Sequence, residues 1–261
     1  MLPRVTPGSQ NEAVGRLALA ALVVVLLPAL PFGTFLAYPF LILTTWFHEM
    51  GHGLVAMALG QDFERLMIFA SGSGVAQYRL AEGTSPLVLA AIAAGGPLAP
   101  SLVGAGLIVA SAHPRAFRAV LWLVSAAILA STIIWVRAPV GYAVLPLLAA
   151  FLALVAWRAR PAVLRFTLQF LGVLAALSML RDAGYLLSAR AVIDGKTFLS
   201  DTGQIAAGLG LPHWLWAGLI LGVGGLITGV ALRYALAEHR LRPPPPRRPA
   251  NVLQFRARRR R

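Results

Sequence analysis

His48, Glu49 and His52 stand in an H-E-x-x-H pattern inside the stretch "TWFHEMGHGLV". On a helix, residues four apart share a face, so both imidazoles can address one ion. The glutamate, one residue after the first histidine, sits beside that ion and can take a proton from its water. Zn2+ suits such a ligand set and keeps an open coordination position when three protein groups hold it. It lowers the pKa of bound water and polarises a carbonyl. Together these are the parts needed to hydrolyse an amide. The plainer alternative is two hydrogen-bonded core histidines and a paired carboxylate. It leaves three ionisable groups in an apolar segment, where each costs at least about 2.5–3.5 kcal/mol on insertion scales. A shared metal compensates all three.

The rest of the chain supplies an apolar frame. Of 261 residues, 58% are hydrophobic and 12% charged, against about 25% charged in soluble domains. The composition is that of a membrane protein. There is no cysteine, so any metal must be held by His, Asp or Glu. Apolar runs near the length of a span cover about 16–32, 34–59, 85–111, 119–136, 140–157, 163–187 and 211–236. The first lacks an A-x-A-like cleavage site and reads as a retained helix rather than a signal peptide. The expectation is an all-α polytopic membrane protein of about seven transmembrane helices. The metalloprotease domain is expected over residues 1–236, with a disordered Arg/Pro-rich tail over 237–261.

One segment departs from helical patterning. "DFERLMIFASGSGVAQYRL", residues 62–80, reads as strand, Gly/Ser turn and strand, a small β-hairpin after the metal-binding helix. Its edge offers a place for an extended peptide to pair. Gly95, Gly96, Gly104 and Gly106 are expected to let another helix approach closely. Trp122, Trp135, Trp157, Trp214 and Trp216 lie near span ends and read as interfacial anchors. His113 and His213 sit beside prolines at span ends and are set aside as ligands.

The net charge of +14 is concentrated in the final segment. Basic residues following a span set topology or touch anionic lipid. No nucleic-acid-binding fold accompanies them, and nucleic acid is excluded as a partner.

"FHEMGHGLVAMALG" within an apolar span resembles the site-2 protease family of intramembrane zinc metalloproteases. The succeeding order agrees: "GSGVAQYR", then "AAIAAGGPLAPSLVGAGLIVAS", similar to the small-residue helix that packs on the metal helix in that family. Here Pro100 stands where that family often has asparagine. The layout is closer to the short, PDZ-lacking bacterial branch, in which a late "SD…" segment precedes "P..LW..LI", matched by "SDTGQIAAGLGLPHWLWAGLI". The resemblance covers about residues 35–225, and only H-E-x-x-H is strongly specific. It implies a zinc endopeptidase acting on single-span membrane proteins in a bacterial cell membrane, with an aspartate from a later span as third ligand.

The usual L-D-G context of that aspartate is missing. Asp182 lies in an apolar run and needs a partner there; it ranks first, although neighbouring Arg181 offers an ion pair. Asp201 ranks second, able to reach the metal or merely to N-cap a helix. Asp194 and Glu64 rank well behind. Two other classes use the same groups: a transporter with a buried His/Glu/Asp ion path, and a catalytically inactive membrane scaffold. In a transporter the four-residue histidine spacing has no particular purpose, and metal content with Glu49-dependent cleavage separates the enzyme from both.

The sidedness of the site is contested. Basic loops and tail fall on one side if helices alternate, which makes that side, with the tail, cytoplasmic. The resemblance instead suggests a site nearer the cytosol. A miscounted span between Ser111 and Val163 would reconcile the two.

Overall fold

The computed structural model describes residues 10–237. Its helices are α1 (Gln10–Leu26), α2 (Gly33–Ala58), α3 (Pro86–Ala110), α4 (Phe117–Ile134), α5 (Pro139–Arg158), α6 (Pro161–Arg181), one-turn α7 (Ala183–Leu186), short α8 (Asp201–Leu209) and α9 (His213–Ala235). A 3-10 turn, Leu27–Ala29, extends α1. Two antiparallel hairpins complete the fold: β1 (Asp62–Ile68) with β2 (Gly74–Arg79), and β3 (Arg190–Ile193) with β4 (Lys196–Leu199). The Arg/Pro-rich tail lies outside the described residues.

Six helical segments are long and apolar enough to cross a membrane: 10–29, α3, α4, α5, 161–186 and α9. The expected seventh, α2, has 26 residues but is not among these six, because the motif and its neighbours interrupt its apolar run. Between Ser111 and Val163 there are two separate helices of that length and composition, α4 and α5.

Local chemistry explains the boundaries. α2 stops at Ala58, and Gly60 follows with φ +76, the left-handed conformation that closes helices. Ser85 caps α3 by accepting from the Val88 amide, and Pro86 occupies its first turn, where a missing N–H costs nothing. The expected span 163–187 corresponds to the segment 161–186, within which Asp182 separates α6 from the single turn α7.

The main core joins Ile42, Leu43, Trp46 and Phe47 of α2 to Ile128 of α4, Leu145 and Leu152 of α5, and Leu168 and Leu171 of α6. α3 lies against α2, α6 and α9. Small residues permit this. A Cβ on Gly96 would run into the His52 ring, and one on Gly95 would meet Val55. Gly104 packs on the Gly172 carbonyl of α6. Gly106 has open space around it, so its expected packing role is not found.

The first hairpin was expected from its turn residues. The second was not, and its signal is plain in retrospect: Asp194-Gly195 between "ARAVI" and "KTFL". Asp194 and Gly195 have φ of 49° and 74°, as a two-residue type I′ turn requires.

Candidate metal centre

α2 places His48 and His52 on one face, with Glu49 beside them; Glu49 and His52 are buried. The His52 Nδ1 hydrogen bonds to the Ile92 carbonyl of α3 at 2.8 Å. A carbonyl only accepts, so Nδ1 carries the proton and the neutral ring presents Nε2 as a bare lone pair. This Nε2 lies 3.2 Å from Nε2 of His48. Such outer hydrogen bonds to a carbonyl typically orient metal-binding histidines.

The third group comes from α8. Asp201 Oδ2 is 3.1 Å from His48 Nε2, and Oδ1 is 3.3 Å from His52 Nε2. Asp201 is free for this because Ser200, not Asp201, caps the helix: Ser200 Oγ accepts from the Gly203 amide. Tyr185 donates its hydroxyl to Asp201 Oδ1 at 3.2 Å. Burial alone would raise the Asp201 pKa, but when the two imidazoles are protonated the His52 charge and the hydrogen bonds from both rings outweigh it and hold the carboxyl below its usual range.

One ligand atom each from His48, His52 and Asp201 lies within 4.8 Å of the others. Two imidazole nitrogens and a carboxylate oxygen are the donor set of a zinc site with room for water. The cluster can hold a metal ion on that chemistry, and the bare His52 nitrogen is an observation in its favour.

Asp182, ranked first from the sequence, is not brought to this cluster. It pairs with Arg181 at 3.2 Å and stays partly exposed. Of the two aspartates, it is Asp201 that lies beside the two histidines. Asp194 sits in the second hairpin's turn, and Glu64 pairs with Arg79 on the first. His113 and His213 bond to the Val109 and Leu187 carbonyls, outside the cluster.

The first hairpin is bound into the site. Ala76 of β2 donates its amide to Glu49 Oε2 at 2.7 Å. Thr45 donates to the Gly72 carbonyl at 2.6 Å, and Tyr38 to the Ala70 carbonyl at 3.0 Å. Behind it, the Leu66 amide bonds to the Trp135 carbonyl and the Arg137 amide to the Leu66 carbonyl. Trp135, read as an anchor, also stacks on Phe63. The outer edge of β1 is therefore partly paired, and on β2 the outward amide of Ala76 is taken by Glu49.

A cleft of about 280 Å³ adjoins the site, lined by His48, Glu49, Ser71–Gly74, Tyr185 and Ala191–Ile193 among others.

A family model described as Peptidase M50B-like matches residues 16–231. Comparison with curated proteins and with solved structures finds no match.

Proposed function

This chain belongs to the Peptidase M50B-like family, and from that membership we propose that it is a zinc-dependent endopeptidase cleaving single-span membrane proteins within or beside the bilayer. The observation that carries the reading is the convergence of His48, His52 and Asp201 with Glu49 adjacent on α2.

In this reading His48, His52 and Asp201 hold the ion. When bound, zinc polarises the scissile carbonyl and acidifies the attacking water. Glu49 is the general base. Its Oε2 is held by the Ala76 amide, so Oε1 is the oxygen left to take the proton. The water oxygen bonds to the carbonyl carbon, the C–N bond breaks, and Glu49 returns the proton to the leaving amine. Tyr185 and the Ile92 carbonyl position Asp201 and His52.

A membrane helix hides its backbone in its own hydrogen bonds, so the cleaved stretch must first be unwound. The β2 edge, apart from the Ala76 amide that serves Glu49, is suited to hold it extended. Photocrosslinkers along β2 that captured no substrate would remove that role.

The test is metal analysis of purified protein, followed by cleavage of a single-span peptide by the parent and by Glu49→Gln. Zinc in both with cleavage only by the parent is the expected result. Ion flux that does not depend on Glu49, without cleavage, would identify a transporter instead.

A further inference from the structure

We propose that the second hairpin is the opposite wall of the substrate cleft, and that the outer edge of β3, centred on Val192, pairs with an extended apolar segment of the substrate. This rests on the proteolytic reading above.

Three observations support it. First, Ala191, Val192 and Ile193 line the same cleft as His48, Glu49 and Ser71–Gly74 of the first hairpin. Second, the edge is open. The pair Ile193–Lys196 closes the two-residue turn, and closing pairs of such hairpins are hydrogen bonded. Val192 and Thr197 then form the next, non-hydrogen-bonded pair, with their amides and carbonyls directed away from each other's strand. The Ser200 amide bonding to the Ala189 carbonyl at 3.0 Å agrees with that alternation. The sheet has only two strands. Third, Val192 is 70% exposed, a β-branched apolar side chain at the margin of a polar site. An apolar peptide laid along β3 would cover it and use its free backbone groups. The occupant we commit to is that peptide, because the cleft is continuous with the groups that would cut it.

The symmetry of the hairpin supplies the control. Val192 and Thr197 hold equivalent outward positions on opposite edges, and only β3 borders the cleft. Proline at either removes an outward amide without touching the ladder inside the hairpin. The probe is a synthetic single-span peptide whose apolar helix is broken by a Gly-Gly pair, with fluorophores on both sides of the break. Losing one or two backbone hydrogen bonds at this edge should raise KM about five- to tenfold in Val192→Pro, with kcat and zinc content little changed. Thr197→Pro should stay within about twofold. A binding arm does not depend on turnover. The chain has no cysteine, so Val192→Cys and Thr197→Cys, each combined with Glu49→Gln, can be crosslinked to one cysteine beside the Gly-Gly break. Crosslinking at Val192→Cys alone is the expected result. Equal capture at both positions, or at neither, overturns the assignment. Crosslinking through Val192→Cys in the Glu49→Gln background, with no cleavage of the peptide by the parent protein, counts against the proteolytic reading and not against the hairpin.

Discussion

Two hairpins flank one cleft, and they are built differently. The first has side-chain ties from Tyr38, Thr45 and Glu49 of α2 to its backbone, and its β1 edge is pinned by Trp135 and Arg137. Phe63, Leu66 and Ile68 are buried beneath it. The second has exposed residues throughout β4, and its stability rests on its own turn and short ladder. It joins α7 to Ser200 and Asp201. The difference separates two tasks. A wall that holds the general base must be rigid, because misplacement of a catalytic group costs rate steeply. A wall that only receives peptide can be loosely held.

The largest expected effect concerns the tie between Glu49 and the first hairpin. Glu49→Gln keeps a carbonyl oxygen that can accept the Ala76 amide but loses the base. Cleavage should fall about 10²–10⁴-fold, with zinc retained and the hairpin still protected in hydrogen exchange. If exchange at Ala76 rises as sharply as activity falls, docking and chemistry are not separable and the comparison fails.

Next is the aspartate delivered by the second region. Asp201→Ala should weaken zinc binding more than about 100-fold, beyond the usual loss on removing an outer-sphere partner, whereas Asp182→Ala should leave it within a few fold. Zinc titration against a chelator decides this. A filled site in Asp201→Ala and an empty one in Asp182→Ala would falsify the ligand assignment.

Much of this was legible in the chain. H-E-x-x-H located the metal helix because a four-residue spacing has a direct helical meaning, and Ser71-Gly72-Ser73-Gly74 announced the first hairpin. The ligand aspartate was harder. Asp182 sits in an apolar run, where a charge demands a partner, while Asp201 follows a serine and looks like a cap. What decided between them is that Ser200 does the capping and that Arg181 already answers Asp182. Neither fact follows from hydropathy. The second hairpin was missed because its strands are only four residues each and mostly exposed, so they lack the alternation that marks a half-buried strand. The Asp-Gly pair was the available signal.

A smaller effect compares one glycine in each hairpin. A Cβ on Gly74 would lie 2.6 Å from Cγ of Glu49 and 2.8 Å from Cγ2 of Thr45. Gly74→Ala should therefore lower kcat about tenfold and cost about 1–3 kcal/mol through overpacking. Gly195 has open space around it but φ +74. Gly195→Ala should cost about 1 kcal/mol in its turn and change kcat by less than twofold. Thermal denaturation and steady-state kinetics on both variants test the pair. Equal kcat losses would mean that both walls position the base.

The smallest perturbation asks which way the shared cleft faces. α3 to α6 make four consecutive crossings, so the start of α3 and the end of α6 lie on one face, and both hairpins belong to it. That face is balanced in its loops: Asp62, Glu64, Glu82, Asp182, Asp194 and Asp201 accompany Arg65, Arg79, Arg137, Arg181, Arg190 and Lys196. The opposite turns carry Arg115, Arg118, Arg158 and Arg160 with no acidic residue, and α9 ends on that same side, ahead of the Arg-rich sequence of the tail. From the positive-inside rule we propose that the tail side is cytoplasmic and that both hairpins face outward. Single cysteines in the cysteine-free chain test it with activity intact. Thr197→Cys, exposed on β4, should react with a membrane-impermeant maleimide in intact cells. Ser73→Cys should react more slowly, since its neighbours Gly72 and Gly74 are held against Leu41, Thr45 and Glu49. Asn251→Cys should react only after the cells are opened. Protection of Thr197→Cys with labelling of Asn251→Cys would invert the protein. Reaction of Thr197→Cys and Ser73→Cys on opposite sides would break the shared cleft, and with it the assignment of the two hairpins as its walls.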